Sequence, residues 1–271
     1  MISPNYFYAT SFGALWVQLL EALVNSEHQS LPRGLPIREL LNVKLELTNP
    51  YRNILVNAKR SVKYRFMLAE WLWIWYGHDD VKTIAKYNPN IAKFSDNGID
   101  FNGAYGKAVQ PHWLRIVDTL TRDPASRQAV ITIYKAPPQE TKDTPCTVSV
   151  QWIIRDKRLH CIVTMRSSDI WLGLPYDVFN FTMLTNLLGA QLNLKMGTFW
   201  MNLGSSHLYD VNFKEAKEAV DEVTGSLWSP QFEMQPGSIL EHSLMHKKRS
   251  YDAASQLPYP WYEYHYALHA D

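Results

Sequence analysis

The chain has 271 residues with Lys+Arg at 27 against Asp+Glu at 26, so it lacks the charge excess or dense basic run that marks a nucleic-acid polymer as partner. Hydrophobic residues at 46% and charged residues at 20% describe a folded, soluble protein. No apolar run reaches 18 residues, and the opening MISPNYFYATSFGALW lacks an export leader's basic segment, apolar stretch and cleavage site, so no membrane is expected and the cytoplasm is the expected compartment. In chain order, SFGALWVQLLEALVN (11–25) has helical apolar spacing, and LPRGLPIREL (31–40) breaks it with two prolines and a glycine. LLNVKLELTNP (40–50) alternates as a strand does, and YRFMLAEWLWIWYG (64–77) reads as a helix apolar on all sides and therefore buried. The turn-rich text over 85–112 reads as a long loop, followed by a short helix near WLRIVDTLTRD (113–123). Three strands follow, QAVITIY (128–134), CTVSVQWIIRD (146–156) and RLHCIVTMR (158–166), the last two joined by the charged turn RDKR. VFNFTMLTNLLGAQLNL (178–194) reads as a buried helix, MGTFWMNLGSSHLY (196–209) as a strand and turn, and NFKEAKEAVDEV (212–223) as a surface helix. Helices packed on one sheet, without repeats or low-complexity linkers, predict a single α/β (α+β) domain over 1–271. The aromatic tail PYPWYEYHYALHAD (258–271) fits no element, and HKKRS (246–250) reads as a solvated cluster.

Ten Trp and fifteen Tyr supply large aromatic surfaces, which suit a bulky core or a pocket for flat ligands equally well. The two cysteines, Cys146 and Cys161, form no disulfide framework and no Cys/His zinc spacing, so free thiols and no metal are expected. On its own, Cys146 admits two readings: a small buried hydrophobe, or a nucleophile whose thiolate a nearby cation stabilises. Arg166 could be that cation, or pair with Asp169. His207 and Tyr209 alternate on a strand and face one side, able to hold one ligand together, though a satisfied structural histidine fits the same spacing. Glu70 is sharper. A carboxylate inside an apolar helix must be paired, hydrogen-bonded or protonated, which marks either a structural network or a general acid/base.

Several segments together resemble thymidylate synthase: PC at 145–146, MRSSDIWLGLPYD at 165–177, GSSHLY at 204–209, AYGK at 104–107 and DPASRQ at 123–128. The match keeps order and spacing from about residue 12 to 215. The resemblance implies an α/β fold on a large mixed sheet with flanking helices and a homodimer packed sheet to sheet. It also implies a pyrimidine nucleoside monophosphate as substrate and 5,10-methylenetetrahydrofolate as one-carbon co-substrate. It makes Cys146 the nucleophile that adds to pyrimidine C6, and Arg166 and Ser167 binders of the 5′-phosphate. Arg127 becomes an arginine that reaches across the dimer to the same phosphate, with Gln128 in place of the second arginine of that pair. Arg33 matches the N-terminal phosphate arginine, with Arg38 as the rival. By the same resemblance, His207 and Tyr209 hold the sugar 3′-hydroxyl, Glu70 organises water and proton transfers, Tyr105 assists proton removal from C5, and Asp169 with the backbone near Gly173 contacts the pterin.

Position 177 departs from the pattern, because the synthases carry asparagine there to read the uracil edge. Cytosine presents the reverse edge, with N3 accepting and the 4-amino group donating. A carboxyl group accepts from the amino group while sharing a proton with N3, so Asp177 reads as a cytosine selector. A helix-capping aspartate ahead of VFNFTML is the purely structural alternative. The stretches VQWIIRDKRLHCIVTMRSSD and WMNLGSSHLY are also similar to the bacteriophage deoxycytidylate hydroxymethylase branch, which carries aspartate there. NIAKFSDNG (90–98) lacks the two tryptophans with which the synthases exclude water, and the ALHAD end lacks their apolar terminus. A wetter site favours water over hydride at the last step. The reading is therefore a dCMP hydroxymethylase. A dCMP methyltransferase, a thymidylate synthase, a CMP hydroxymethylase and a catalytically silent nucleotide- or RNA-binding homologue remain as alternatives.

Overall fold

The computed structural model describes residues 5–135, 140–221, 231–234 and 236. The tail at 258–271, with its ALHAD end, and the cluster at 246–250 lie outside the described residues. Strands β1 (Tyr6–Ala9), β2 (Gln29–Ser30) and β3 (Ile37–Leu47) and helix α1 (Phe12–Val24) form the first unit. Helices α2 (Tyr64–Trp75), α3 (Val81–Ala85) and α4 (Gly106–Arg122) follow, then strands β4 (Val130–Thr132), β5 (Thr147–Arg155) and β6 (Arg158–Asp169). Helix α5 (Leu174–Leu192), strand β7 (Lys195–Tyr209) and helix α6 (Phe213–Asp221) complete the described elements.

The seven described strands join one sheet in the order β1-β3-β7-β6-β5-β4, with β2 paired to β3. The sheet is mixed. β1 with β3 and β6 with β7 run parallel, while β3 with β7 and β5 with β6 run antiparallel. The parallel β6–β7 pair requires a crossover, and α5 supplies it. Its apolarity on nearly all sides follows from burial between the sheet and helices α2 and α4. The helix stops at Asn193, which adopts the left-handed conformation while the Leu194 N–H donates to Gly189 O at 2.8 Å.

Register shows which sheet face holds the core. Leu45, Met201, Val163 and Val150 lie side by side across four strands, and all are buried. One position along, Glu46, Trp200, Ile162 and Gln151 form the matching row on the opposite face, and all four are only half-buried. Among the described residues the helices therefore cover one face and leave the other open.

Three expectations need correction. The span 85–112 is not one loop: a 3-10 turn covers Pro89–Phe94, and α4 starts at Gly106, two turns ahead of the predicted helix, with Pro111 inside it. Residues 196–209 form one continuous strand rather than a strand and turn. Asp177 does not cap its helix, because α5 begins at Leu174 and Asp177 lies within its first turn.

Candidate active site

The sheet topology brings the candidate residues to one edge. β6 and β7 run parallel, so Arg166, Ser167 and Asp169 end one strand beside His207 and Tyr209 ending the other. β5 runs antiparallel to β6, which returns its start, and Cys146 just before it, to the same edge. Binding sites in α/β sheets lie at this carboxyl end of parallel strands. A register shift between Thr147 and Ser149 bends β5 directly after Cys146, the kind of bulge that re-aims side chains.

Arg166, in β6, is anchored by the segment that leads into Cys146 and points at the thiol. Its Nε donates to Pro145 O at 3.0 Å, and its Nη2 donates to Thr144 O at 2.9 Å and lies 3.7 Å from Cys146 Sγ. Burial pushes the Cys146 thiol above its ordinary value; Arg166 pulls it down, Asp177 and Asp143 push it up, and Arg33 pulls it down. The cation thus lies beside the thiol, but burial outweighs its effect. Both cysteines are free, and Cys161 is wholly buried in the core.

Ser167 Oγ and His207 Nδ1 are 3.4 Å apart, and the His207 and Tyr209 rings meet edge-on at 5.2 Å. Burial lowers His207 to about 4, opposed by Glu39, so the imidazole is neutral near pH 7. A neutral ring can both donate to and accept from a sugar hydroxyl. Arg33 and Arg38 separate clearly. Arg38 Nη1 donates to Val24 O at 2.8 Å and Ser26 O at 3.2 Å, and its guanidinium lies 3.9 Å over the Phe213 ring, a structural role. Arg33 is exposed on the turn Pro32–Gly34, and its charge reaches both Cys146 and His207. Arg127 is exposed, and its backbone carbonyl accepts from Gln151 Nε2 at 2.9 Å.

Beside Cys146 opens a cavity of about 230 Å³, lined on its apolar side by Trp73, Ile74, Ile91, Phe94 and Phe101. Glu70, Asp177, Asn180, Tyr105 and Asp143 supply its polar lining. At 90–98 Ile91 and Phe94 supply apolar lining where the synthases carry tryptophans. Glu70 keeps a little surface open to the cavity, yet its carboxyl is ringed by protein. Burial raises it to about 7, while the Asn180 amide, donating to Oε2 at 2.8 Å, pulls it down. Burial, then the charges of Glu70 and Asp169, push Asp177 well above the usual carboxylate range, which favours the protonated acid. The Tyr105 phenol is also pushed well up, by burial and then Asp177 and Cys146, and its ring stacks on Phe181 at 5.8 Å.

Asp169 shapes the turn that leads into α5. Its Oδ1 accepts from Trp171 N at 2.9 Å and Leu172 N at 2.8 Å, and burial raises its carboxyl to about 6. Gly173 N–H donates to Asp169 O at 3.0 Å, and Gly173 O accepts from Asp177 N at 3.1 Å, which fixes Asp177 in the first helical turn. Sequence reasoning missed Asn180 and Asp143. Asn180 carried a readable signal, a polar residue three positions from Asp177 inside an apolar helix and so on the same helical face. Asp143, which accepts from Gly103 N at 2.8 Å, carried none. Among the described residues no group of His, Cys, Asp and Glu could hold a metal ion, and no helix is long and apolar enough to cross a membrane.

The family model of thymidylate synthase matches residues 17–261. The chain belongs to the thymidylate synthase family. Among curated relatives, a deoxyuridylate hydroxymethyltransferase of Bacillus phage SP01 is 28% identical over 216 residues, covering 72% of this chain and 56% of that protein. A second deoxyuridylate hydroxymethyltransferase, from Delftia phage PhiW-14, is 29% identical over 205 residues, covering 69% of this chain and 56% of that protein. A thymidylate synthase of Vesicomyosocius okutanii subsp. Calyptogena okutanii (strain HA) is 24% identical over 190 residues, covering 65% and 72%. This member of the thymidylate synthase family thus spans little more than half the length of the phage enzymes it matches, and its mixed sheet with flanking helices is the architecture expected of the family.

Proposed function

We propose that this chain hydroxymethylates C5 of deoxycytidine monophosphate. The one-carbon unit comes from 5,10-methylenetetrahydrofolate, which supplies an electrophilic methylene when bound. The apolar wall of Trp73, Ile74, Ile91, Phe94 and Phe101, closed by carboxyls, suits flat heteroaromatic rings that donate hydrogen bonds. Cys146 attacks C6, which makes C5 nucleophilic, and Arg166, Ser167 and Arg33 are arranged for a dianionic phosphate at the same strand edge. Tyr105 stands beside Cys146 and Asp177, where a phenol can relay the C5 proton. Arg127 would serve the partner's site in a sheet-to-sheet homodimer.

The observation that carries the substrate assignment is the buried carboxyl of Asp177 in the cavity wall. It accepts from the cytosine 4-amino group and passes a proton to N3, charging the ring for thiolate addition. A second reading has support of its own. A neutral carboxyl also matches uracil, taking N3–H on its carbonyl and donating its O–H to O4, and two relatives are named deoxyuridylate hydroxymethyltransferases.

Mass spectra of the products from dCMP and from dUMP, each incubated with methylenetetrahydrofolate, test both. A gain of one hydroxymethyl group on dCMP, shifted toward dUMP by Asp177→Asn, is the expected result. Turnover of dUMP alone by the unmodified enzyme overturns the cytosine assignment, and a methyl product overturns water capture.

A further inference from the structure

Asn180 is 2% exposed, yet its side chain lines the cavity beside Glu70 and Asp177. Its Nδ2 donates to Glu70 Oε2 at 2.8 Å, while its Oδ1 has no hydrogen-bond partner among the described residues. An ionised carboxylate only accepts, so Glu70 fixes which end of the amide faces it and leaves the oxygen turned elsewhere. A buried amide oxygen without a partner is costly, and the cavity of about 230 Å³, mostly apolar but polar where Glu70, Asp177 and Asn180 line it, has room for the water that would satisfy it. Asp177 lies three residues earlier on the same face of α5, so this oxygen sits beside the group assigned to the pyrimidine edge.

Resting on the hydroxymethylase reading, we propose that Asn180 and Glu70 together seat the water that captures the one-carbon unit, making Asn180 the positioning residue for hydroxymethyl formation. One water O–H is donated to Asn180 Oδ1 and the other to the Glu70 carboxylate, which leaves an oxygen lone pair free for the exocyclic methylene on C5. As the carbon–oxygen bond forms, the methylene π pair moves into the ring toward C4, and the water proton passes to Glu70. The ring pair then returns to restore the C5–C6 double bond. The C6–S bond breaks, Cys146 leaves as thiolate, and the nucleotide carries a hydroxymethyl group.

The test separates steps before water capture from capture itself. With nucleotide tritiated at C5, tritium release reports thiolate addition, methylene transfer and proton loss, while the 5-hydroxymethyl nucleotide reports capture. Asn180→Ala is expected to keep tritium release within about threefold of wild type and to lower hydroxymethyl product on the order of 100-fold, the range of a lost proton-transfer alignment. A small thiol added to that variant should recover the missing product as a 5-thioether. Asn180→Ser, which keeps an oxygen acceptor, should restore part of the hydroxymethyl product and guards against a folding defect in the alanine variant. A hydroxymethyl-forming wild type whose Asn180→Ala variant loses both signals in parallel, or neither, overturns the Asn180 assignment alone. A wild type that yields only 5-methyl product overturns the water step itself, and with it the reading on which Asn180 rests.

Discussion

Burial acts on Glu70 and His207 in opposite senses because one is charged when it loses its proton and the other when it gains one. His207, lowered from 6.5 to about 4, takes up its proton later in the folded state than in the unfolded one, so its neutral burial contributes stability above about 6.5 that is lost as pH falls toward 4. Glu70, raised from 4.5 to about 7, holds its proton longer when folded; its contribution is complete below about 4.5 and is lost as pH rises through 7. Glu70→Gln removes that loss. Its stability relative to wild type should improve by about 2 kcal/mol between pH 5 and pH 8, read from denaturant unfolding at each pH. An improvement independent of pH would mean that the Glu70 carboxyl is not desolvated. Glu70 and Asp177 were legible in sequence because each is a charge in an apolar run or a departure from a known motif, whereas Asn180, neutral, gave the weaker signal of a polar residue on the Asp177 face of an apolar helix and was passed over.

At the scale of elements, close backbone approaches explain both what the pattern revealed and what it hid. The buried faces of α1, α2, α5 and the central strands follow periodicity, since one face of each meets the core. The first turns of α4 read as loop because Gly106 and Pro111 are breakers, but Gly106 is required there: a Cβ would lie 2.8 Å from Ile74 O, so α4 crosses α2 at its glycine. The turn expected within 196–209 is absent from β7. Gly204 instead keeps the strand straight where β6 comes nearest, since a Cβ would lie 2.8 Å from Arg166 O. Gly204→Ala should therefore part β6 from β7 at the site, lowering unfolding free energy by about 1–3 kcal/mol and raising the nucleotide KM on the order of tenfold as Arg166 and the Ser167–His207 pair shift. A stability loss with unchanged KM would show that the strands yield without moving those side chains.

Among the described residues one sheet face carries no helices, and the row Glu46, Trp200, Ile162 and Gln151 across it mixes apolar and polar groups that stay half-buried. His160 stacks on Trp200 at 5.5 Å on that same face, and Glu46 accepts from Trp200 Nε1 at 2.8 Å, so the surface is ordered before any partner covers it. Such a face fits a second copy of the chain, and Arg127, exposed, fits a residue that acts on the partner's site. The two ideas make one joint prediction. Cys146→Ala and Arg127→Glu should each be nearly inactive as pure proteins. If Arg127 crosses the interface, unfolding and refolding them together creates heterodimers in which one site has both an intact thiol and an intact arginine. Activity should then return to roughly a quarter of wild type per chain, because half the random pairs are mixed and each repairs one of its two sites. If Arg127 acts within its own chain, every site in every pair lacks one of the two groups, and mixing restores nothing.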